Sequence, residues 1–174
     1  TTFISDSISV IKDFEKANSI LASILGTTSS EIKELTDDAR RLGETTSATA
    51  SQVTALQTEL AKLGFSRDEI LASTEAVLNF ALATGASLPD AASLAGAALR
   101  IFGADAEDMD RYVSAMAVST DRSALSFQKL ATAIPIVAPV AEAFGFEIED
   151  VLTLLAKLSD AGFDASMAAT ATRN

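Results

Sequence analysis

The chain has 174 residues, with 13 Lys+Arg against 24 Asp+Glu for a formal charge of −11, and it is 48% apolar but only 6% aromatic. It contains neither Cys nor His, which excludes a disulfide framework, a thiol nucleophile and thiolate metal sites, and removes the commonest general base and zinc ligand. Such a charge repels a duplex phosphate backbone, so no specific nucleic-acid binding is expected; the apolar content excludes a disordered acidic tail, and the length suits one domain with a real core.

Helix-period apolar runs separated by glycines, with no sustained period-two alternation, read as an all-α chain of about nine helices. The first covers 3–25, with Ile4, Ile8, Ile11, Phe14, Leu21 and Leu25 on one stripe. Asn18 falls on that stripe and reads as an ordinary, partly wet position; fixing register in a helix pair is its other reading. Leu25-Gly26 ends this helix, and Thr28-Ser-Ser-Glu31 fits a capping box that starts the second, 29–42, closed by Gly43. Thr49-Ala-Ser-Gln52 starts the third, 50–63, with Val53, Leu56, Leu60 and Leu63 as its stripe. Ser66-Arg-Asp-Glu69 starts the fourth, 67–84, with Ile70, Leu71, Thr74, Val77, Leu78 and Ala81 on one side and Gly85 after it.

The fifth helix, 88–102, opens on Ser87 with Pro89 in its first turn, where a missing N–H costs nothing. Within it, Ala92-x-x-x-Gly96 forms a small face suited to close helix approach. Gly103 precedes the sixth, 106–118, and Ser119-Thr-Asp-Arg-Ser123 supplies the next corner without a glycine. The seventh, 127–143, carries Pro135 and Pro139, so a kink is expected near Ile134. The eighth, 148–161, lies between Gly145 and Gly162, and a ninth begins at 164. All eight glycines except Gly96 thus read as helix C′ positions. Acids such as Asp68, Glu69, Asp90, Glu107, Asp108, Glu149 and Asp150 fall in first turns, and Arg40, Arg41, Lys62, Arg100 and Lys157 toward last turns. Macrodipole complementation therefore explains much of the charge without reference to function.

Four corners share a pattern: Leu25-Gly26 with Glu31-Ile32, Leu63-Gly64 with Glu69-Ile70, Phe102-Gly103 with Asp108-Met109, and Phe144-Gly145 with Asp150-Val151. Their glycines, Gly26, Gly64, Gly103 and Gly145, are 38, 39 and 42 residues apart. Each corner reads as a helix ending on a left-handed glycine, an acid over the next N-terminus, and an aliphatic residue opening the next buried face. The expected architecture is a set of helical-hairpin repeats of about 40 residues, packed as an elongated bundle. Glycine or proline interrupts the pattern often enough to oppose one straight rod, which for 174 residues would span about 260 Å.

The run Ala39-Arg-Arg-Leu-Gly43-Glu-Thr-Thr-Ser47, followed by Leu60-Ala-Lys-Leu-Gly64-Phe-Ser66 and Glu69-Ile-Leu71, resembles the core region of phage tail tape measure proteins. Val77-Leu-Asn79, Ala138-Pro-Val-Ala141, Ala156 with Asp160-Ala-Gly162, and Ala171-Thr-Arg173 are similar to that family's later blocks, in the same order. The resemblance covers residues 26–174. Two departures are Leu125-Ser-Phe-Gln-Lys129, where an acidic cap is more usual, and Ala168-Ala169, where the family often has a small residue and glycine. It implies a long helical virion protein in the lumen of the tail tube, made in the host cytoplasm, that sets tail length and scaffolds tube assembly. It also implies self-association, contact with tail tube proteins and a tail assembly chaperone, and no cofactor. On that reading, 1–25 is an amphipathic helix able to continue a longer tape helix, and 26–174 a core segment of a longer chain.

The residues leave three other classes to consider. Catalysis has only carboxylates, Lys, Arg, Ser/Thr and one Tyr to draw on. Pairs such as Glu31 with Glu34, or Glu147 with Asp150, fall on solvated first turns rather than in an apolar pocket that would raise a pKa. Asp105-Ala-Glu107-Asp108-Met-Asp110 resembles a calcium loop but lacks its glycine and terminal glutamate. The chain is therefore expected to be no enzyme, with no catalytic, cofactor-binding or metal residues. A membrane-active bundle acting in genome ejection or as a toxin-like module is suggested by the apolar run Leu130 to Ala141, for which a central core helix is the plainer explanation. No run reaches the length of a membrane span, and no signal peptide is visible. An α-solenoid interaction scaffold also fits two-helix units of this length.

Overall fold

Eight α-helices and one 3-10 turn make up the regular structure of the computed structural model, which describes residues 2–164 and 166–167, with side chains from residue 8 onward. The helices are α1 (Thr2–Ile24), α2 (Lys33–Thr45), α3 (Ala50–Lys62), α4 (Arg67–Thr84), α5 (Leu88–Ile101), α6 (Met109–Arg122), α7 (Phe127–Ala143) and α8 (Ile148–Asp160), with the 3-10 turn at Ala106–Asp108. No strand occurs among the described residues. The ninth helix expected from 164 lies almost wholly outside them.

The helices form two rows. In one, α1 packs on α3, α3 on α5 and α5 on α7; in the other, α2 packs on α4, α4 on α6 and α6 on α8. The rows meet along the sequence neighbours α2 with α3, α3 with α4, α4 with α5, α5 with α6, and α7 with α8. This is a stack of hairpins in which each unit touches chiefly the next, giving an elongated bundle. The core runs between the rows, with Ile32, Leu35, Leu56, Leu60, Ile70, Leu78, Leu99 and Leu130 fully buried. Fully buried alanines, including Ala39, Ala92, Ala95, Ala98, Ala133 and Ala138, let backbones approach closely enough to exclude water without large side chains.

Start signals set several elements as the sequence demands. Thr49 and Gln52 close a reciprocal capping box at α3, and Ser66 and Glu69 do so at α4. The Ser87 hydroxyl accepts from the Asp90 N–H at α5, with Pro89 in the first turn. Stop signals are equally explicit. Gly26, Gly64, Gly85, Gly103, Gly145 and Gly162 all have φ between 64° and 86°. Beyond each, the next N–H reaches back five residues, for example from Thr27 to the Ala22 carbonyl at 2.9 Å and from Phe146 to Ala141 at 2.9 Å. These are Schellman closures, and a Cβ would strain them through the backbone alone.

Several expectations need correction. Gly43 is not a helix end: α2 continues to Thr45, and Gly43 sits inside its last turn, where a Cβ would lie 2.6 Å from the Ala50 backbone nitrogen. Thr28-Ser-Ser-Glu31 does not start α2. The Glu31 carboxylate accepts from the Thr28 N–H at 3.2 Å and closes a turn, and the helix begins at Lys33 with no side-chain cap. The sixth helix opens as a 3-10 turn and runs four residues past 118, because the Ser119, Thr120 and Ser123 hydroxyls bond back to helical carbonyls instead of breaking the chain. The corner moves to Ser123–Ser126. The seventh helix keeps its expected span, 127–143, with Pro135 and Pro139 both on its exposed face. It is also not enclosed on every side, since Gln128, Ala131 and Thr132 are exposed too.

Asn18 is buried rather than partly wet. Its amide donates to the Phe14 carbonyl at 2.9 Å, and its oxygen accepts from the Thr36 hydroxyl of α2 at 3.1 Å, so it is a satisfied buried polar group that ties α1 to α2. On the same α1 stripe, Phe14 and Leu21 are buried, whereas Ile8 and Ile11 are exposed because α1 is ten residues longer than the α3 it packs on. Gly96 fulfils the small-face expectation. A Cβ there would meet Leu63 Cδ1 at 2.7 Å and Leu60 Cδ2 at 3.1 Å, so α5 lies directly against the end of α3.

Candidate functional surfaces

The chemistry-bearing side chains gather at the corners, where helix ends leave backbone groups to satisfy. At the Gly64 corner, Ser66 N–H donates to Glu69 Oε2 at 2.7 Å. Arg100, arriving from the last turn of α5, donates to the Gly64 carbonyl at 3.1 Å, pairs with Glu69 at 3.0 Å, and lies 4.1 Å from the ring centroid of Phe65. One guanidinium thereby holds a helix end, a helix start and an aromatic ring together. The Ser66 N–H and then Arg100 hold the Glu69 carboxyl down at about 2.

The other corners vary this theme. At Gly26, Arg67 donates to the Glu31 carbonyl at 3.0 Å. At Gly145, Asp150 accepts from the Glu147 N–H at 3.1 Å, and Arg111 of α6 reaches across to Glu149 and Glu147, both at 2.7 Å. At Gly103 the acid does not cap: Asp108 N–H donates to the Asp105 carbonyl within the 3-10 turn. At the opposite edge, Asp160 accepts from the Ala124 N–H at 2.6 Å, and Lys129 joins the Ala124 carbonyl to the Ser159 hydroxyl. Arg41 bridges Asp38 on its own helix and Glu75 on α4.

In the sequence Glu149, Arg41 and Arg100 read only as macrodipole charges, Glu69 and Asp150 as corner acids as well, and Arg67 and Arg111 carry no such reading. Their spacing carried a signal: Arg67 follows Glu31 by 36, Arg100 follows Gly64 by 36, and Arg111 precedes Glu147 by 36. That separation is close to the corner repeat and is the sequence distance between neighbours in one row.

Of the paired carboxylates, Glu31 accepts from the Thr28 N–H, Asp150 from the Glu147 N–H, and Glu147 from Arg111. Glu31, Asp37, Glu69, Glu149 and Asp164 are all held below the usual carboxylate range, chiefly by donated hydrogen bonds: from Thr27 to Glu31, Lys33 to Asp37, Ser66 to Glu69, Arg111 to Glu149, and Ser166 to Asp164. That is opposite to the shift a glycosidase-type acid needs. No group of three or more metal-ligating side chains occurs among the described residues, and no described helix is long and apolar enough to cross a membrane. One concavity, about 650 Å³, is an open groove where Ala83 and Thr84 face Ala117, Val118 and the Ser123–Gln128 corner. Its lining offers hydroxyls, Asp121 and Arg122 and no converging set of reactive groups.

Comparison with known proteins gives a consistent result. The sequence model of a family described as phage-related minor tail protein matches residues 36–174. The chain is 30% identical over 163 residues to the "Probable tape measure protein" of Escherichia phage P2, covering 92% of this chain and 20% of that protein. It is 28% identical over 171 residues to the "Tape measure protein" of Pneumococcus phage Dp-1, covering 98% of this chain and 15% of that protein. The chain thus spans a fifth or less of the length of these relatives. No solved structure matches it.

Proposed function

We propose, on the premise that this chain belongs to the phage-related minor tail protein family, that it is a non-enzymatic structural segment of a tail tape measure protein. In this reading it sits in the virion tail, within the tube lumen, and helps to set tail length and to scaffold tube assembly. The observation that carries the proposal is that the matched stretch, 36–174, takes in nearly the whole hairpin stack α2–α8. Glycine-closed corners Gly26, Gly64, Gly103 and Gly145 serve as the hinges of that stack and have no chemical role.

A folded stack contributes little ruler length. As one straight helix, residues 26–174 would account for about 220 Å of tail. As a stack they form a knot on the tape whose faces meet neighbouring tail components: tube protein, other copies of the same chain and, before assembly, a chaperone. The charge of −11 suits a surface past which DNA moves without adhering.

In-frame deletion of 26–174 in the phage, with tails measured by electron microscopy, tests this. Failed assembly, or tails shortened by far less than about 220 Å, is the expected result. Normal tails and full infectivity would remove the tail role, and a loss of the whole 220 Å would remove the folded knot. A gel-shift assay at low salt is expected to show no retained DNA. The two-row stacking also favours a scaffold reading, in which the stack grips a tail protein along its length; binding of purified tube protein to the isolated segment is the measurement that supports it.

A further inference from the structure

The negative charge is not spread evenly over the stack. At the Gly26 and Gly64 corners Glu31, Glu34, Asp68 and Glu69 stand against Lys33, Arg67 and Arg100, close to balance. At the Gly103 and Gly145 corners, segments 102–111 and 142–150 carry eight acids, four in each, against one base, Arg111. All of these acids except Asp108 are exposed. Arg111 brings the two segments together by donating to Glu147 and Glu149, both at 2.7 Å. Burial holds the Tyr112 hydroxyl above its ordinary range; Arg111 opposes the rise, and Glu147, Asp108 and Glu149 add to it, so acids from both corners act on one point. Like charges gathered in this way make a field that draws cations.

On either side of Gly145, within this field, Phe144 is 77% exposed and Phe146 55%. The Gly64 corner shows how the same arrangement is completed. Phe65 follows a left-handed glycine, is 2% exposed, and lies 4.1 Å from Arg100, which also pairs with the first-turn acid Glu69. Phe146 likewise follows a left-handed glycine, with Asp150 as its first-turn acid. Among the described residues no cation stands over either Phe144 or Phe146.

We propose that this edge is a docking surface for a basic segment of a partner protein: an arginine-bearing helix whose guanidinium groups lie over Phe144 and Phe146 and pair with Glu142 and Asp150. Charge complementarity selects that occupant, since a neutral or acidic partner would leave carboxylates facing it unpaired, and anionic lipid is repelled. The two rings supply the aromatic anchor of such a contact, and a planar guanidinium suits both ring and carboxylate. The proposal rests on the tail reading only for the partner's being a tail component; the surface is defined by this chain's own residues.

The test uses the 174-residue protein and, as probe, a synthetic amphipathic peptide of Ala, Leu and Arg about five helical turns long, with its Gln-for-Arg counterpart as control. Fluorescence anisotropy at about 50 mM salt is expected to show binding of the arginine peptide alone, and hydrogen exchange to show slowed amides at 105–111 and 144–150. Any polycation is drawn to a protein of charge −11, so the deciding variant keeps the charge. Phe144→Ser with Phe146→Ser is expected to weaken binding about fivefold or more, from two exposed ring–cation contacts of roughly two- to fivefold each. Glu142→Gln should weaken it more than Asp68→Asn, which removes one charge at the Gly64 corner. Equal affinity in the double Phe variant, equal losses from the two charge variants, or no binding of the arginine peptide would overturn the proposal. So would protection of 144–150 in the free protein that rises with protein concentration, which places a second copy there. Slow maleimide labelling of Phe146→Cys relative to Val118→Cys, in the cysteine-free background, would overturn it too, because the chain then covers its own corner. The peptide decides the surface; binding of purified tube protein decides the tail reading separately.

Discussion

Replacing Gly43 by alanine sets two physical effects against each other at one position. Gly43 lies inside α2, where alanine gains about 1 kcal/mol over glycine in helix propensity. An added Cβ, however, would stand 2.6 Å from the Ala50 nitrogen, 3.1 Å from its Cα and 3.3 Å from its Cβ, where ordinary contact begins at 3.4 Å. Two of those three atoms are backbone at the first residue of α3, and the Thr49–Gln52 box holds that turn through bonds of 2.8 and 3.2 Å. The end of α2 and the start of α3 must therefore part by most of an ångström. Overpacking of this kind costs about 1–3 kcal/mol, and loosening the cap adds part of its roughly 1 kcal/mol. The net expectation is a loss of about 1–2 kcal/mol, or about 3–6 °C in Tm for a chain of this size. Urea and thermal unfolding followed by circular dichroism at 222 nm measure it. Gly96→Ala is the internal comparison, because its Cβ meets only the ends of Leu63 and Leu60 side chains and the ring of Phe65. It is expected to cost less than Gly43→Ala. A Gly43→Ala protein as stable as wild type, or more so, would show that the close approach of α2 to α3 is not real.

Gly64→Ala should lose about 1–2 kcal/mol through the left-handed backbone alone, since nothing lies within 4 Å of the added carbon; equilibrium unfolding with an unchanged m-value checks this. Thr49→Ala should cost about 1 kcal/mol by removing the acceptor for the Gln52 N–H, again read from unfolding midpoints. Glu69 gives a pH signature: its folded carboxyl sits at about 2 against an ordinary 4.5. Its contribution is full above 4.5 and is lost as pH falls toward 2. Glu69→Gln should flatten that part of the stability–pH curve, and an identical slope in wild type and variant would refute the assignment. Arg100→Ala should release both Glu69 and Phe65, and exchange of the 63–69 amides is expected to rise before global stability changes much, because the ion pair is partly exposed.

What could be read from the sequence is what is local. Thr49 with Gln52, Ser66 with Glu69, Ser87 with Pro89, and the glycines at 26, 64, 85, 103, 145 and 162 are signals acting within four or five residues of themselves. Their outcome depends on backbone sterics and orphan N–H groups that every helix end shares. Those signals determined the all-helical class, the boundaries of α3, α4, α5, α7 and α8 to within a residue, and the periodicity of the corners. Tertiary structure decided everything that depends on which helix arrives from elsewhere. Gly43 and Gly26 carry equally plausible stop signals, but only the approach of Ala50 shows that the first is a contact glycine inside a helix. Asn18 on an apolar stripe is indistinguishable from a wet position until Thr36 is seen opposite it. Arg100 looks like any last-turn cation until Phe65 and the Gly64 carbonyl are placed beneath it by 36 residues of intervening chain. A helix end is specified by its own few residues, whereas a contact needs two surfaces, and one of them is always distant in sequence.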